Sequence, residues 1–267
     1  MNLRRYREAA EILSALDPDR GWVSRWEHYW WTLTQAHHLA GDHEVELQAA
    51  DGYLERYPES PVGLRRKAIA LAALGRTEEA AELATRFSEK DPPGWHATLV
   101  RFVVEELRVH GHQAAARDLV DGYLVWYDSL PSDAKQRSTT LLVLGGRLEE
   151  ARAVAEEMLR SADPDRPGYL LPALAQLGWI AALQGDEEEA RSAMARIEAE
   201  GDSAFSAYKQ LLMARIAANL GEPERAVALL RAAYQSGFPD MTGWHTSVPL
   251  DPLRDYPPFV ELMRPRE

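Results

Sequence analysis

The sequence predicts an all-α fold, a right-handed α-solenoid of about six helical hairpins with an extra N-terminal helix and a C-terminal capping segment. Three observations carry this. Glycines recur at Gly41, Gly75, Gly111, Gly146, Gly185 and Gly221, spaced 34, 36, 35, 39 and 36 residues apart. A recurrence in the range of about 20–50 residues marks a stacked array. Five residues after the glycine stands Ala80, Ala116, Ala151, Ala190 or Ala226, and only Glu46 departs from this series. The position facing it on the preceding helix is also small or β-branched: Thr34, Ala68, Val104, Thr139, Gly178 and Ala214. Small side chains are required at both places, because the two helices of one hairpin approach each other there.

Residues 3–16 place Leu3, Tyr6, Ala10 and Leu13 on one helical face, and Asp17-Pro18 ends that helix because the residue before a proline resists helical geometry. It reads either as the second helix of a hairpin whose first is missing or as a capping helix, which an array needs in any case. Hairpin one covers about 27–60, with Trp30, Leu33, Thr34 and His37 on its first helix and Asp42 placed to cap its second. Hairpin two (60–92) sets the register: one helix over 61–74, a turn at Gly75 and a second helix over 77–89. Hairpin three spans about 97–130 and hairpin four begins near Ser132. In hairpin five, Asp186 and Glu189 form a capping box, and in hairpin six Pro223 suits the first helical position. Residues 237–267 leave the pattern: Pro239, Pro249, Pro252, Pro257 and Pro258 forbid a long helix, and a short one near 258–263 is placed to fold back over the exposed end. The organisation is thus residues 1–26 as N-terminal helix and linker, 27–236 as repeat array, and 237–267 as cap.

These residues carry a resemblance. Over roughly residues 27–236 the chain is similar to tetratricopeptide-repeat proteins: it has their turn glycines, their alanine series, and large apolar residues at Trp30, Leu64, Phe87, Tyr123 and Leu174. The proline that closes repeats is present as Pro58 and Pro92 and is displaced or absent later. Residues 250–262 resemble the closing segment of repeat domains in bacterial multidomain signalling proteins, where a kinase, cyclase or winged-helix domain precedes the repeats. None of those domains is present in this sequence.

The resemblance implies ligand binding along the first helix of each hairpin. The family's groove positions fall here on Trp31, Gln35 and His38; on Arg65 and Arg66; on Arg101, Phe102 and Arg108; on Arg137; on Trp179; and on Arg215. Six arginines against one acid, Glu105, stand out in a chain of net charge −12. A guanidinium's planar fork donates two parallel hydrogen bonds to a carboxylate or phosphate. The expectation is an arginine-lined groove for an acidic or C-terminal peptide segment. The opposing reading has these arginines solvated or paired with acids of neighbouring helices, each exposed pair contributing about 0–1 kcal/mol. The family's chaperone-binding carboxylate clamp is not matched, since Gln35, Ile69 and Glu105 occupy positions where its asparagines would stand.

Composition excludes other classes. The acidic balance argues against nucleic-acid binding through bulk electrostatics. Absence of cysteine removes disulfides, thiolate ligands and a cysteine nucleophile. Glu8 and Glu11 interrupt any signal-like apolar stretch, and apolar runs fall short of the roughly 18–20 residues of a membrane span, so a soluble cytoplasmic protein is expected. His37, His38 and His43 beside Asp42 raise the question of a metal. Adjacent His37 and His38 point in different directions on a helix, so neither a metal nor a cofactor is expected. No nucleophile motif or phosphate loop appears. The expected function is therefore protein–protein interaction without catalysis, as a scaffold or the sensory arm of a bacterial signalling system. A regulatory domain binding a small anion and a helical enzyme are the rival readings.

Overall fold

In the computed structural model, residues 5–86, 93–130, 139–162, 167–200, 205–238 and 242–264 are described. Their regular elements are all helices, with no strand among them. The chain divides into two compact units, Met1–Tyr123 with Arg264–Glu267, and Leu124–Met263.

In the first unit, α1 (Tyr6–Ser14) packs on α2 (Glu27–Ala40), and a short 3-10 turn at Val23–Arg25 leads into α2. Tyr29 ties the two helices by donating from its hydroxyl to the Leu13 carbonyl at 3.2 Å. There follow α3 (His43–Arg56), α4 (Pro61–Ala73), α5 (Thr77–Arg86), α6 (Pro93–Val109) and α7 (Gln113–Asp128), whose last residues belong to the second unit. Helix α2 pairs with α3 and α4 with α5; α2 also packs on α4, and α4 on α6, so the first helices of successive hairpins lie side by side.

The second unit contains α8 (Thr139–Leu144), α9 (Leu148–Ser161), α10 (Pro167–Gln184), α11 (Glu187–Ala199), α12 (Ser206–Asn219) and α13 (Pro223–Gln235). These pair as α8 with α9, α10 with α11, and α12 with α13, while α10 packs on α12. After α14 (Thr242–Thr246), a 3-10 segment Val248–Leu253 lies against α12 and α15 (Pro257–Met263) against α13. Trp244, Leu250, Leu253 and Phe259 join one core with Leu212, Ile216 and Leu230. Asn219 Nδ2 donates to the Pro249 carbonyl at 2.7 Å and fastens this segment to α12.

The hairpin turns share one geometry. Each of the six recurrent glycines has φ between +73° and +85°, the left-handed conformation that only glycine adopts without a Cβ penalty. The amide after each glycine bonds back to a carbonyl five residues earlier: Asp42 to His37, Arg76 to Leu71, His112 to Leu107, Arg147 to Leu142, Asp186 to Ala181 and Glu222 to Ala217. This is the Schellman closure of a helix. The alanines five residues after the glycine are all buried, and so is Glu46.

Caps follow the sequence reading in part. Asp186 Oδ1 accepts from the Glu189 amide at 2.9 Å, and Pro223 opens α13. Asp42 departs from expectation: its side chain makes no cap hydrogen bond, and its backbone carbonyl alone starts α3 by accepting from Glu46. Among the described residues no helix is long and apolar enough to cross a membrane.

Candidate functional site

Helix α2 sets Trp31, Gln35 and His38 along one face, at intervals of four and three residues. Beside it α4 presents Arg65 and Arg66, and α6 presents Arg101, Phe102, Glu105 and Glu106. Across the three helices, guanidinium groups and aromatic rings alternate. The Arg66 guanidinium lies over the Trp31 ring, 5.4 Å from its centre. Arg65 and Arg101 both lie against Phe102, at 5.1 and 4.2 Å. Cation–π contacts of this kind contribute about 0.5–1 kcal/mol each at exposed sites and more when desolvated. The aromatic series continues outward from Trp31 through His28, Trp26 and Trp22, with ring centres 4.7, 6.2 and 5.0 Å apart. Trp22 is 65% exposed, unusual for so large an apolar ring.

Beneath this face lies a set of buried charges. Sequence register puts Gln35, His38 and Arg66 in an open groove, but they are buried at the seam between α2, α4 and α6, Arg66 being only 5% exposed. Arg65, Arg101, Phe102 and Trp31 are half-buried and reach the surface, as does Arg108 near the end of α6. Arg101 is partly committed, since its Nη1 donates to Glu105 Oε2 at 2.7 Å. Arg137 lies outside the described residues.

Two helix ends meet in the buried set. Glu46, on α3, receives two imidazoles on one oxygen: His38 Nδ1 is 2.9 Å from Oε2 and His43 Nδ1 is 3.1 Å from it. Glu106, from α6, lies 3.3 Å from His38 Nε2 and 3.2 Å from His110 Nε2, close enough for an ion pair but without hydrogen-bond alignment. Burial opposes a charge on His38, but the Glu46 and Glu106 carboxylates outweigh it and hold its pKa above the ordinary histidine value. Burial likewise opposes ionisation of Glu46, and the His38 charge together with the two imidazole hydrogen bonds outweighs that and lowers its pKa. His37, one residue away, faces α1 instead, with Nε2 3.1 Å from Ser14 Oγ.

The alanine series contained the one sequence signal for this cluster. Glu46 stands where the other hairpins use a methyl group, at the closest approach of two helices. Glu106 and His110 carried no such signal, because they belong to a different hairpin and meet His38 and His43, respectively, only through packing.

In the second unit the expected aromatic, Trp179, is a core residue rather than an open one, with 2% of its surface exposed. Gly178 explains this: with no side chain there, α10 closes tightly on α11 and α12 and draws its neighbour inward. Arg215 on α12 is half-buried. Two arginines of this unit bind neighbouring hairpins, Arg152 to Glu189 at 2.7 Å and Arg191 to Glu222 at 2.5 Å.

No protein-family model and no curated protein matches the sequence. Among solved structures, the chain is similar to a tetratricopeptide repeat protein from Parabacteroides merdae, with a TM-score of 0.46 and 16% identity over 92% of this chain and 91% of that one.

Proposed function

We propose that this protein is a non-catalytic interaction protein, and that the face built from α2, α4 and α6 takes an extended acidic segment of a partner. The observation that carries this reading is the alternation of arginine and aromatic rings over three adjacent helices, Arg66 on Trp31, then Arg65 and Arg101 on Phe102. Rings hold the guanidinium planes in place, so less side-chain freedom is lost when a carboxylate arrives. The chain's net charge of −12 makes a local concentration of arginine a selective feature rather than a general stickiness. Arg65 and Arg101 are the residues assigned to the partner, and the buried Arg66 supports them from below. A role as the sensory arm of a bacterial signalling system has the resemblance of the tail as its support.

The test uses a fluorescein-labelled peptide of alternating glutamate and leucine, with the lysine counterpart as control. The glutamate peptide is expected to bind, to weaken as salt rises, and to lose affinity in Arg65→Ala/Arg101→Ala. A charge-assisted hydrogen bond contributes about 1.5–3 kcal/mol, so the double variant weakens binding at least about tenfold. Equal binding of both peptides, or unchanged affinity in the variant, defeats the reading. Stabilisation by citrate without any peptide binding would transfer the site to small anions.

A further inference from the structure

We propose that His38, His43 and Glu46 form a binding site for one divalent transition-metal ion of the zinc class. One ring nitrogen of His38, one of His43 and a carboxylate oxygen of Glu46 all lie within 4.8 Å of one another. They come from the last turn of α2 and the first turn of α3. The left-handed Gly41 between them, closed by the Asp42-to-His37 bond at 3.0 Å, fixes how the two helix ends face each other. His43 and Glu46 are three residues apart and share a helix face.

One feature of the cluster asks for a cation. Glu46 is fully buried, yet its Oε1 has no hydrogen-bond partner among the described residues, although buried carboxylate oxygens are ordinarily satisfied. Two imidazole nitrogens already converge on its other oxygen, at 2.9 and 3.1 Å. A metal ion among these three atoms would take the place of the protons that now join them. Glu106 lies on the far side of the His38 ring, 3.3 Å from Nε2. Glu106 then takes the place of the carboxylate that orients a metal-bound imidazole from behind.

The donor set and dimensions agree. Two imidazoles and a carboxylate, in a chain without cysteine, suit zinc, cobalt, nickel or copper rather than calcium or magnesium. Metal–nitrogen bonds of about 2.0–2.1 Å in a tetrahedron place ligand atoms roughly 3.3–3.4 Å apart. The nitrogen-to-oxygen separations of 2.9 and 3.1 Å need a small opening and the third separation, within 4.8 Å, can adjust with it, because the His43 side chain is the partly exposed one. The two carboxylates Glu46 and Glu106 outnumber the single nearby guanidinium of Arg66. Three protein ligands leave one tetrahedral position for a further donor.

The full-length chain, stripped with a chelator and dialysed, would be titrated with Co²⁺, then Zn²⁺, with competition against a chromogenic chelator for affinity. The expected result is one equivalent of Co²⁺ with the intense visible absorption of tetrahedral coordination, displaced by Zn²⁺. His43→Gln, at the partly exposed ligand, abolishes that band while circular dichroism shows the helices intact. Glu106→Gln keeps the band and weakens binding by about 10–100-fold, the effect of losing an orienting carboxylate. His37→Gln, on the same helix but facing Ser14, binds as the wild type. The proposal is overturned if Co²⁺ gives only a weak octahedral spectrum without saturating at one equivalent. It is overturned equally if folded His43→Gln retains the band.

Discussion

His96 sits in α6 with its ring buried, Nδ1–H donating to the Ala84 carbonyl of α5 at 3.0 Å and the ring centre 5.8 Å from that of Tyr123. Burial is the main reason its pKa is lowered, and the bond to Ala84 offsets this only in part. The folded protein therefore favours neutral His96. Its contribution to stability is complete above the ordinary histidine pKa of about 6.5 and is lost as pH falls through that value toward the folded one. In His96→Asn, whose amide can still donate to Ala84, the fall in Tm between about pH 7.5 and about pH 5 should be smaller than in the wild type. Equal slopes in thermal melts would show that His96 is not the titrating group; His37, also lowered by burial, is common to both proteins. Single residues were legible where backbone geometry demanded them, as at Gly75 and Ala80. They were not legible where a charge had been drawn inward: groove numbering put Arg66 on the surface, but it lies under Trp31, and only the packing of α2 on α4 decides between the two.

Between elements, the glycines inside helices divide by what surrounds them. A Cβ on Gly178 of α10 would meet Ile216 Cδ1 of α12 at 2.6 Å and Ala193 Cβ of α11 at 2.9 Å. A Cβ on Gly122 of α7 would meet nothing within 4 Å. One chemical change is therefore expected to act in opposite directions. Gly122→Ala should stabilise by about 0.5–1 kcal/mol through helix propensity. Gly178→Ala should destabilise, because crowding a packed seam costs about 1–3 kcal/mol and outweighs that gain. Urea unfolding of the two variants decides the matter, and stabilisation of both would refute the close packing of α10. The hairpins themselves were readable because turn glycine and small-residue pair are local requirements repeated every 34 to 39 residues. The inward turn of Trp179 was not, since it depends on how far Gly178 lets three helices close.

Across the whole molecule, burial is unevenly shared. In α1 only Tyr6 and Ala10 are buried, and among the described elements the helix packs chiefly on α2. In α10 and α12, Leu171, Leu174, Ile180, Leu212 and Ile216 are almost wholly enclosed. Local opening is easiest where few apolar contacts must break. Amide hydrogen exchange should accordingly be fast along α1 and slowest in α10 and α12, and uniform protection would contradict this distribution. The division into units inside α7 left no trace in the sequence, because the glycine spacing continues through it: the pattern records how each hairpin closes upon itself, not which hairpins gather into one body. The placement of His38, His43 and Glu46 within a single hairpin has a further consequence. In an array whose units close mainly upon themselves and their neighbours, a set of residues contained in one unit is portable. Residues 27–56 could be grafted into an idealised repeat scaffold and would carry all three side chains with them, while leaving Glu106 behind. The recipient would then separate what the three residues do by themselves from what the third hairpin lends them.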